Sequence, residues 1–397
     1  MTPTAIRPDS FPWFDYTRYS FSLGLSLGPH RATLSGHSAS EYDPERSRIV
    51  VNGDMADQTR TAYRKIGTIL RAAGLGFEDV TRVVENVTVA GVDHYAAAEA
   101  VRAEVFGSHR PAVNTVVVHR LLRPAALIEI EVTADRGGGR ACGGGSGGRQ
   151  AFAPARAAGD VVYLSTVLPY NDASDLVGEG NPEAQVRQIF RNADRVLGAC
   201  GLGMSNVVKT LEMIRPEALE GYRYTGRPRR EFLGPVYPGA AGILQERVAS
   251  DDRVLVSYDF TASRAQAVAV NPGWDRYQRL TYSPAVRAGD MLFMSGQAAL
   301  DPETGRAVSP GDVAAQAEYT YSNIVTVLDA AGMGPDNLIK TIEYVTPEGL
   351  SGYRGVAGVR RRLLSEPWPA STGALCHSLL RKEFLIEIDP LAMAFPG

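Results

Sequence analysis

"AAGMGPDNLIKTIE", residues 330–343, is the last of three versions of one sentence in this chain. The earlier ones are "AAGLGFEDVTRVVE" at 72–85 and "ACGLGMSNVVKTLE" at 199–212. Self-similarity at a near-constant spacing marks a repeated structural unit, and it decides the fold before any single residue does. In each version the small residues read as the end of a helix, because Gly74, Gly201 and Gly332 accept positive φ cheaply. The Val, Ile, Leu and Thr that follow read as a strand. That strand carries a glutamate at one fixed place: Glu85, Glu212 and Glu343.

The likeness extends outward. Upstream of each turn runs a helical stretch with Gln58, Gln185 or Gln316 near its start and Tyr63, Phe190 or Tyr321 further along. Downstream, Tyr95, Tyr222 or Tyr353 stands near the start of a second helix. Two strands close each copy, as in "AVNTVVVHRL" (112–121) with "ALIEIEVTA" (126–134), and a hairpin opens it. The order β-β-β-α-β-α-β-β predicts an α+β fold, a mixed β-sheet with two helices on one face. Stretches such as "NTVVVH" and "GALC" are apolar at both sets of alternating positions, so both sheet faces call for burial. Three units therefore bury their bare faces against one another as an intramolecular pseudo-trimer. Unit 1 is expected at 1–135, a Gly-rich linker at 136–149, unit 2 at 150–263 and unit 3 at 264–397. The linker reads as a flexible tether with Cys142 exposed, and Trp13 and Trp274 read as packing anchors.

With 397 residues, 44% hydrophobic content and a net charge of −3, the chain reads as globular, with no basic field for nucleic acid. Three cysteines form no CxxC pair, and no basic-then-apolar start or membrane-length apolar run is present, so a cytoplasmic protein is expected. The expected form is a monomer, with a dimer as the alternative, and the expected partner is a small molecule. No metal and no dissociable cofactor is expected, since no HExxH, GxSxG or phosphate-binding loop occurs.

"YSPAV" (282–286), "SGQ" (295–297), "NIVTVLDAAGMGPDNLIKT" (323–341) and "PAST" with "LLRKEFLIEID" (369–372, 379–389) together resemble the Rid family, the YjgF-like imine deaminases. Copy one keeps "SG" and "LIEIE"; copy two keeps mainly helix and turn. The resemblance implies clefts between units, hydrolysis of imines and enamines, a last-strand glutamate that handles water, and an arginine that grips a carboxylate. The glutamate falls on Glu129 and Glu387, with Ser257 in copy two; the arginine position holds Val113, Ala240 and Ser371. Lacking that arginine, the substrate is expected to be less anionic than an amino-acid enamine.

Candidate acid/base residues are then Glu129, Glu387, Glu343, Glu212, Glu85 and His37. A carboxyl on a half-buried strand suits proton transfer near neutrality, as does a histidine. A structural ion pair, with Arg215, Arg230 or Arg361, is the rival reading for the middle-strand glutamates. Candidate substrate-binding residues are Tyr19, Ser35, Asn114, Thr115, Tyr282, Ser295, Gln297 and Thr372. The expected function is a Rid-like enzyme acting on a small imine, enamine or carbonyl compound, as a deaminase or as a cyclase, dehydratase or tautomerase of a specialised pathway. The alternatives are a chorismatase-like hydrolase and a non-catalytic binder or scaffold.

Overall fold

The computed structural model describes residues 2–143, 152–249 and 251–395. Among these residues, three large sheets of seven, seven and eight strands follow in chain order, beside a two-stranded ribbon of Ser40–Asp43 with Arg48–Val51 in unit 1. In each large sheet, a middle strand (Val80–Thr88, Val207–Ile214, Leu338–Val345) runs antiparallel to the last strand (Ile128–Asp135, Val256–Ser263, Ile386–Met393). It runs parallel to the penultimate one (Ala112–Val118, Gly239–Leu244, Ala370–Leu375). The sheets are therefore mixed, and the unit is α+β repeated three times.

A long helix covers one face of each sheet: Met55–Ala72, Pro182–Ala199 and Val313–Ala330. Asp54, Asn181 and Asp312 cap the starts by accepting from free N–H groups of the first turn. Gly74, Gly201 and Gly332 end the helices at φ of 69°, 74° and 69°. The recurring glutamines are clips. Gln58, Gln185 and Gln316 each accept from the N–H of Leu127, Leu255 or Leu385 and donate to a carbonyl two residues earlier, at Ala125, Arg253 or Glu383. Each helix is thereby tied to the start of the last strand.

Residue parity on the middle strand sorts the two faces. Val83 and Val87 pack under the helices with Tyr63, Ile66 and Ile69. Val84 faces the other way, into a cluster shared by all three units that includes Leu211 and Tyr344. A second shared cluster joins Leu25, Val208 and Ile339. Between these two apolar layers lies a ring of charge: Arg82 with Asp259, Lys209 with Asp389, and Lys340 with Glu131. Each pair joins one unit's middle strand to the next unit's last strand, which closes the pseudo-threefold circuit. Unpaired, these buried charges would be prohibitive.

The units also trade strands. Arg120–Leu121 of unit 1 extends the sheet of unit 3, and Ser378–Leu379 of unit 3 extends that of unit 2. Unit 2 returns no such strand to unit 1 among the described residues. That seam holds instead His119 Nδ1 to Glu246 at 2.6 Å and Arg247 Nη1 to Asp93 at 2.9 Å.

Two expectations about the tether need correction. Arg140–Cys142 forms the first strand of the second sheet, paired with Ala155–Ala158, although it lies in the span read as linker. Cys142, read as exposed, is buried in the core of unit 2. Residues 144–149 of that span lie outside the described residues. No helix among the described residues is long and apolar enough to cross a membrane.

Candidate active site

Each seam is built by the same staple. The hairpin serine of one unit donates to a carbonyl of its own unit and accepts an N–H from its neighbour's penultimate strand. Ser35 takes Ser371 N at 2.7 Å, Ser165 takes Val113 N at 2.8 Å and Ser295 takes Ala240 N at 2.9 Å. Their donations go to Ser22, Ala153 and Ser283 at 2.6 Å each. Ser35 and Ser295, expected to hold ligand, thus have their hydroxyls committed to backbone.

The residue after that serine decides whether a cleft exists. Gly36 and Gly296 leave room for the side chains of Glu129 and Glu387; a Cβ at either would collide with the carboxylate. Unit 2 has Thr166 there and Ser257 in place of the glutamate. Thr166 Oγ1 donates to Asp259 at 2.6 Å and accepts from Thr115 N at 3.0 Å, filling the space. Asn114 is enclosed in the same seam, donating to Leu164 O and accepting from Arg82. The seam between units 1 and 2 therefore has neither the carboxylate nor the room for one, and Asn114 and Thr115 serve its packing.

The other two seams open into cavities. The one between units 1 and 3 has about 560 Å³ and is lined by Glu129, His37, Lys65, Tyr19, Phe14, Tyr353, Arg360 and Ser371, among others. The one between units 3 and 2 has about 240 Å³ and is lined by Glu387, Gln297, Tyr277, Tyr282, Trp274, Tyr222 and Arg229, among others. Burial, reinforced by the adjacent acids Glu131 and Asp389, pushes the carboxyls of Glu129 and Glu387 up to about 8. Both therefore hold their protons at neutral pH and can donate them. Glu129 and Glu131, like Glu387 and Asp389, lie two residues apart on one strand face, and position along the strand divides them: Glu131 and Asp389 meet the lysines of the central ring, while Glu129 and Glu387 line the clefts. Thr372 sits at the junction, donating to Glu131 at 2.8 Å and accepting from Gly36 N at 3.1 Å.

His37 donates from Nε2 to Leu23 O at 3.1 Å, which leaves Nδ1 as an acceptor. Burial and the Lys65 charge hold the ring down to about 3, so it stays neutral. Lys65 replaces an asparagine found at the matching place in the other units, Asn192 and Asn323. It donates to Ser38 O at 2.7 Å and Ser40 O at 2.5 Å under the rings of Trp13 and Phe14. Burial brings it down to about 7.

The three middle-strand glutamates lie beneath the helices in a repeated cluster. Glu85 accepts from Tyr63, Tyr95 and Arg102; Glu343 accepts from Tyr321, Tyr353 and Arg360. Glu212 accepts from Arg229, and Tyr258 supplies the hydroxyl that Phe190 lacks. The expected ion pair exists, but its arginines are Arg102, Arg229 and Arg360. Arg215 bonds Glu217 instead, Arg230 bonds Gly226 O, and Arg361 reaches Arg18 O. All three glutamates are essentially buried; Glu212 lines the cavity between units 3 and 2 beside Tyr222 and Arg229, whereas Glu343 meets the cavity between units 1 and 3 only through Tyr353 and Arg360.

The model of the family described as Endoribonuclease L-PSP matches this chain at residues 20–136, 148–214 and 276–394. A RutC family protein of Pyrococcus horikoshii is 35% identical over 111 residues, 28% of this chain and 85% of the relative. The 2-iminobutanoate/2-iminopropanoate deaminase of Escherichia coli strain K12 is 30% identical over 114 residues, 28% of this chain and 86% of the relative. A chorismatase crystal structure superimposes with a TM-score of 0.54 at 16% identity, covering 79% of this chain and 93% of its own.

Proposed function

We propose, for a chain that belongs to the Rid (Endoribonuclease L-PSP) family with three family units in one polypeptide, an imine or enamine hydrolase working in the cleft between units 1 and 3. The observation that carries this reading is Glu129: a buried carboxyl, protonated at neutral pH, in a cavity large enough for a small substrate. Its proton goes to the imine nitrogen or enamine carbon, which makes the substrate carbon electrophilic. The resulting carboxylate then takes a proton from the attacking water. The carbinolamine collapses with loss of its nitrogen, so one imine and one water become one carbonyl compound and one ammonia. Neutral His37, with Nδ1 free to accept, holds the water or the leaving nitrogen.

The test is ammonia release from 2-aminoacrylate generated in situ. The protein is expected to accelerate it, and Glu129→Gln to lose about a hundredfold to ten-thousandfold of that acceleration. No acceleration by the intact chain ends this reading.

A second reading is ether hydrolysis of the chorismatase kind. It is favoured by the likeness of fold over 79% of the chain and by the cation-rich lining: Lys65, Arg123, Arg354, Arg360 and Arg361 against the single acid Glu129. Turnover of chorismate, followed by loss of its ultraviolet absorbance, separates the two.

A further inference from the structure

The junction of the three units is unevenly filled. The strand Arg31–Leu34 of unit 1 has its counterparts in Val161–Leu164 and Met291–Met294, as the register against the last strands shows: Thr33, Tyr163 and Phe293 stand opposite Thr133, Thr261 and Leu391. Units 2 and 3 thus bring an aromatic side chain to this place, and unit 1 brings only Thr33. Two residues earlier, on the same face, units 2 and 3 carry Val161 and Met291, whereas unit 1 carries Arg31. A cavity of about 90 Å³ lies beside Thr33 and is lined by all three units. Its walls come from the central ring of charge and from the apolar side chains of Val161, Met291 and Ile339. That volume admits a small inorganic ion with its nearest water.

The lining has donors to spare. Lys209 gives N–H groups to Met294 O and Asp389, and Lys340 gives them to Leu34 O and Glu131. An ammonium has three donors, so each lysine keeps one. Arg82 spends Nε on Asn114 and stands 3.9 Å from Asp259, whose Oδ1 is taken by Thr166. Arg31, tied to Asp135 and Asp290, is a fourth cation on the same space, against the two lining acids Glu131 and Asp389.

Two buried lining atoms make no hydrogen bond among the described residues: Thr33 Oγ1 and Glu131 Oε1. Glu131 Oε2 by contrast serves both Lys340 and Thr372. Orphans this deep call for a partner, and the two call for different ones. The hydroxyl can donate; the carboxylate oxygen only accepts. An occupant that suits both offers negative oxygens to the cations and to Thr33, and a hydrogen to Glu131.

We propose that this cavity binds a small oxyanion that still carries a proton, hydrogen carbonate or hydrogen phosphate, which accepts from Lys209, Lys340, Arg82 and Thr33 and donates to Glu131 Oε1. Charge-assisted bonds of this kind are the strong ones. The ion touches residues of all three units, so it clamps the assembly and stabilises it by mass action. Neither Thr33 nor Arg31 lines a cleft, so the site is independent of the reaction proposed above.

The intact chain is titrated by calorimetry at neutral pH with bicarbonate and phosphate, and with nitrate and sulfate as their proton-free counterparts of like shape. Thermal melts run alongside. One of the first two is expected to bind at least tenfold more tightly than its counterpart and to raise the melting midpoint, and the tighter of them identifies the ligand. Thr33→Val keeps the volume and removes a hydroxyl that bonds nothing in the protein, so it is expected to fold as well and to weaken binding at least tenfold. Thr33→Phe, which restores the filling of unit 3, is expected to abolish binding. The proposal is overturned if neither ion binds saturably, if the proton-free counterparts bind as tightly, or if Thr33→Val leaves the affinity unchanged, the mark of binding in the cation-rich cleft instead.

Discussion

Gly36, in the break between Arg31–Leu34 and His37–Ser38, makes room for Glu129 on the last strand of unit 1: a Cβ on Gly36 would collide with Glu129 Oε1. The same dependence links Gly296 to Glu387, and where the glutamate is absent, at Ser257, the glycine has become Thr166. The pair therefore behaves as a single character. Gly36→Ala is expected to displace the Glu129 carboxyl and cost about a hundredfold or more in turnover, with little loss of stability. Steady-state kinetics beside a thermal melt checks this.

Rebuilding the closed seam provides the reciprocal experiment. Ser257→Glu alone places a carboxyl against the Thr166 side chain and is expected to destabilise by about 3 kcal/mol through overpacking and burial of charge. Thr166→Gly in the same chain is expected to recover at least half of that loss. Equal denaturation midpoints for the single and double variants would show that the two positions are independent.

Acid stability carries a signature of the cleft carboxyls. Glu129 and Glu387 are raised from an ordinary value of 4.5 to about 8. The folded state thus holds protons that the unfolded chain releases, so the stabilisation is complete below pH 4.5 and is lost as pH rises through 8. Replacing both with Gln is expected to flatten stability between pH 5 and 8, with a gain at pH 8 of at most about 4–5 kcal/mol per site. For catalysis by the protonated acid, kcat/KM is expected to fall above about pH 8.

The central ring separates pairing from charge. Lys340→Met leaves Glu131 buried without its partner and is expected to cost about 3–5 kcal/mol. Lys340→Met with Glu131→Leu is expected to return near the starting stability, since an apolar pair of similar volume replaces a desolvated ion pair. A double-mutant cycle by chemical denaturation measures the coupling.

Much of this architecture is legible in the residues because it is local. Gly74, Gly201 and Gly332 announce helix ends, and the parity of the middle strand places Glu85 beside Val83 and Val87. The partners of that glutamate are less so. Arg229 and Arg360 each stand one residue before the arginines first named, Arg230 and Arg361, and only the phase of the helix decides which points inward. The spacing Tyr-x6-Arg, present at 95–102, 222–229 and 353–360, is the signal that finds them: seven residues are two turns, so both side chains share a face. Lys65 has no counterpart in the other copies, so repetition gives no pointer to it. The strands Arg120–Leu121 and Ser378–Leu379 are two residues long and exist only because a neighbouring sheet offers an edge.

Those exchanged strands give synthesis a direction. The ribosome delivers units 1 and 2 first, yet the edge of the second sheet waits for Ser378–Leu379, and Arg120–Leu121 waits for Ala370–Leu375. Ser35 likewise has no Ser371 to staple until the third unit's penultimate strand has emerged. The segment 370–379 is thus a keystone: a nascent chain halted before residue 370 carries two unfinished edges, and the arrival of those residues completes both at once.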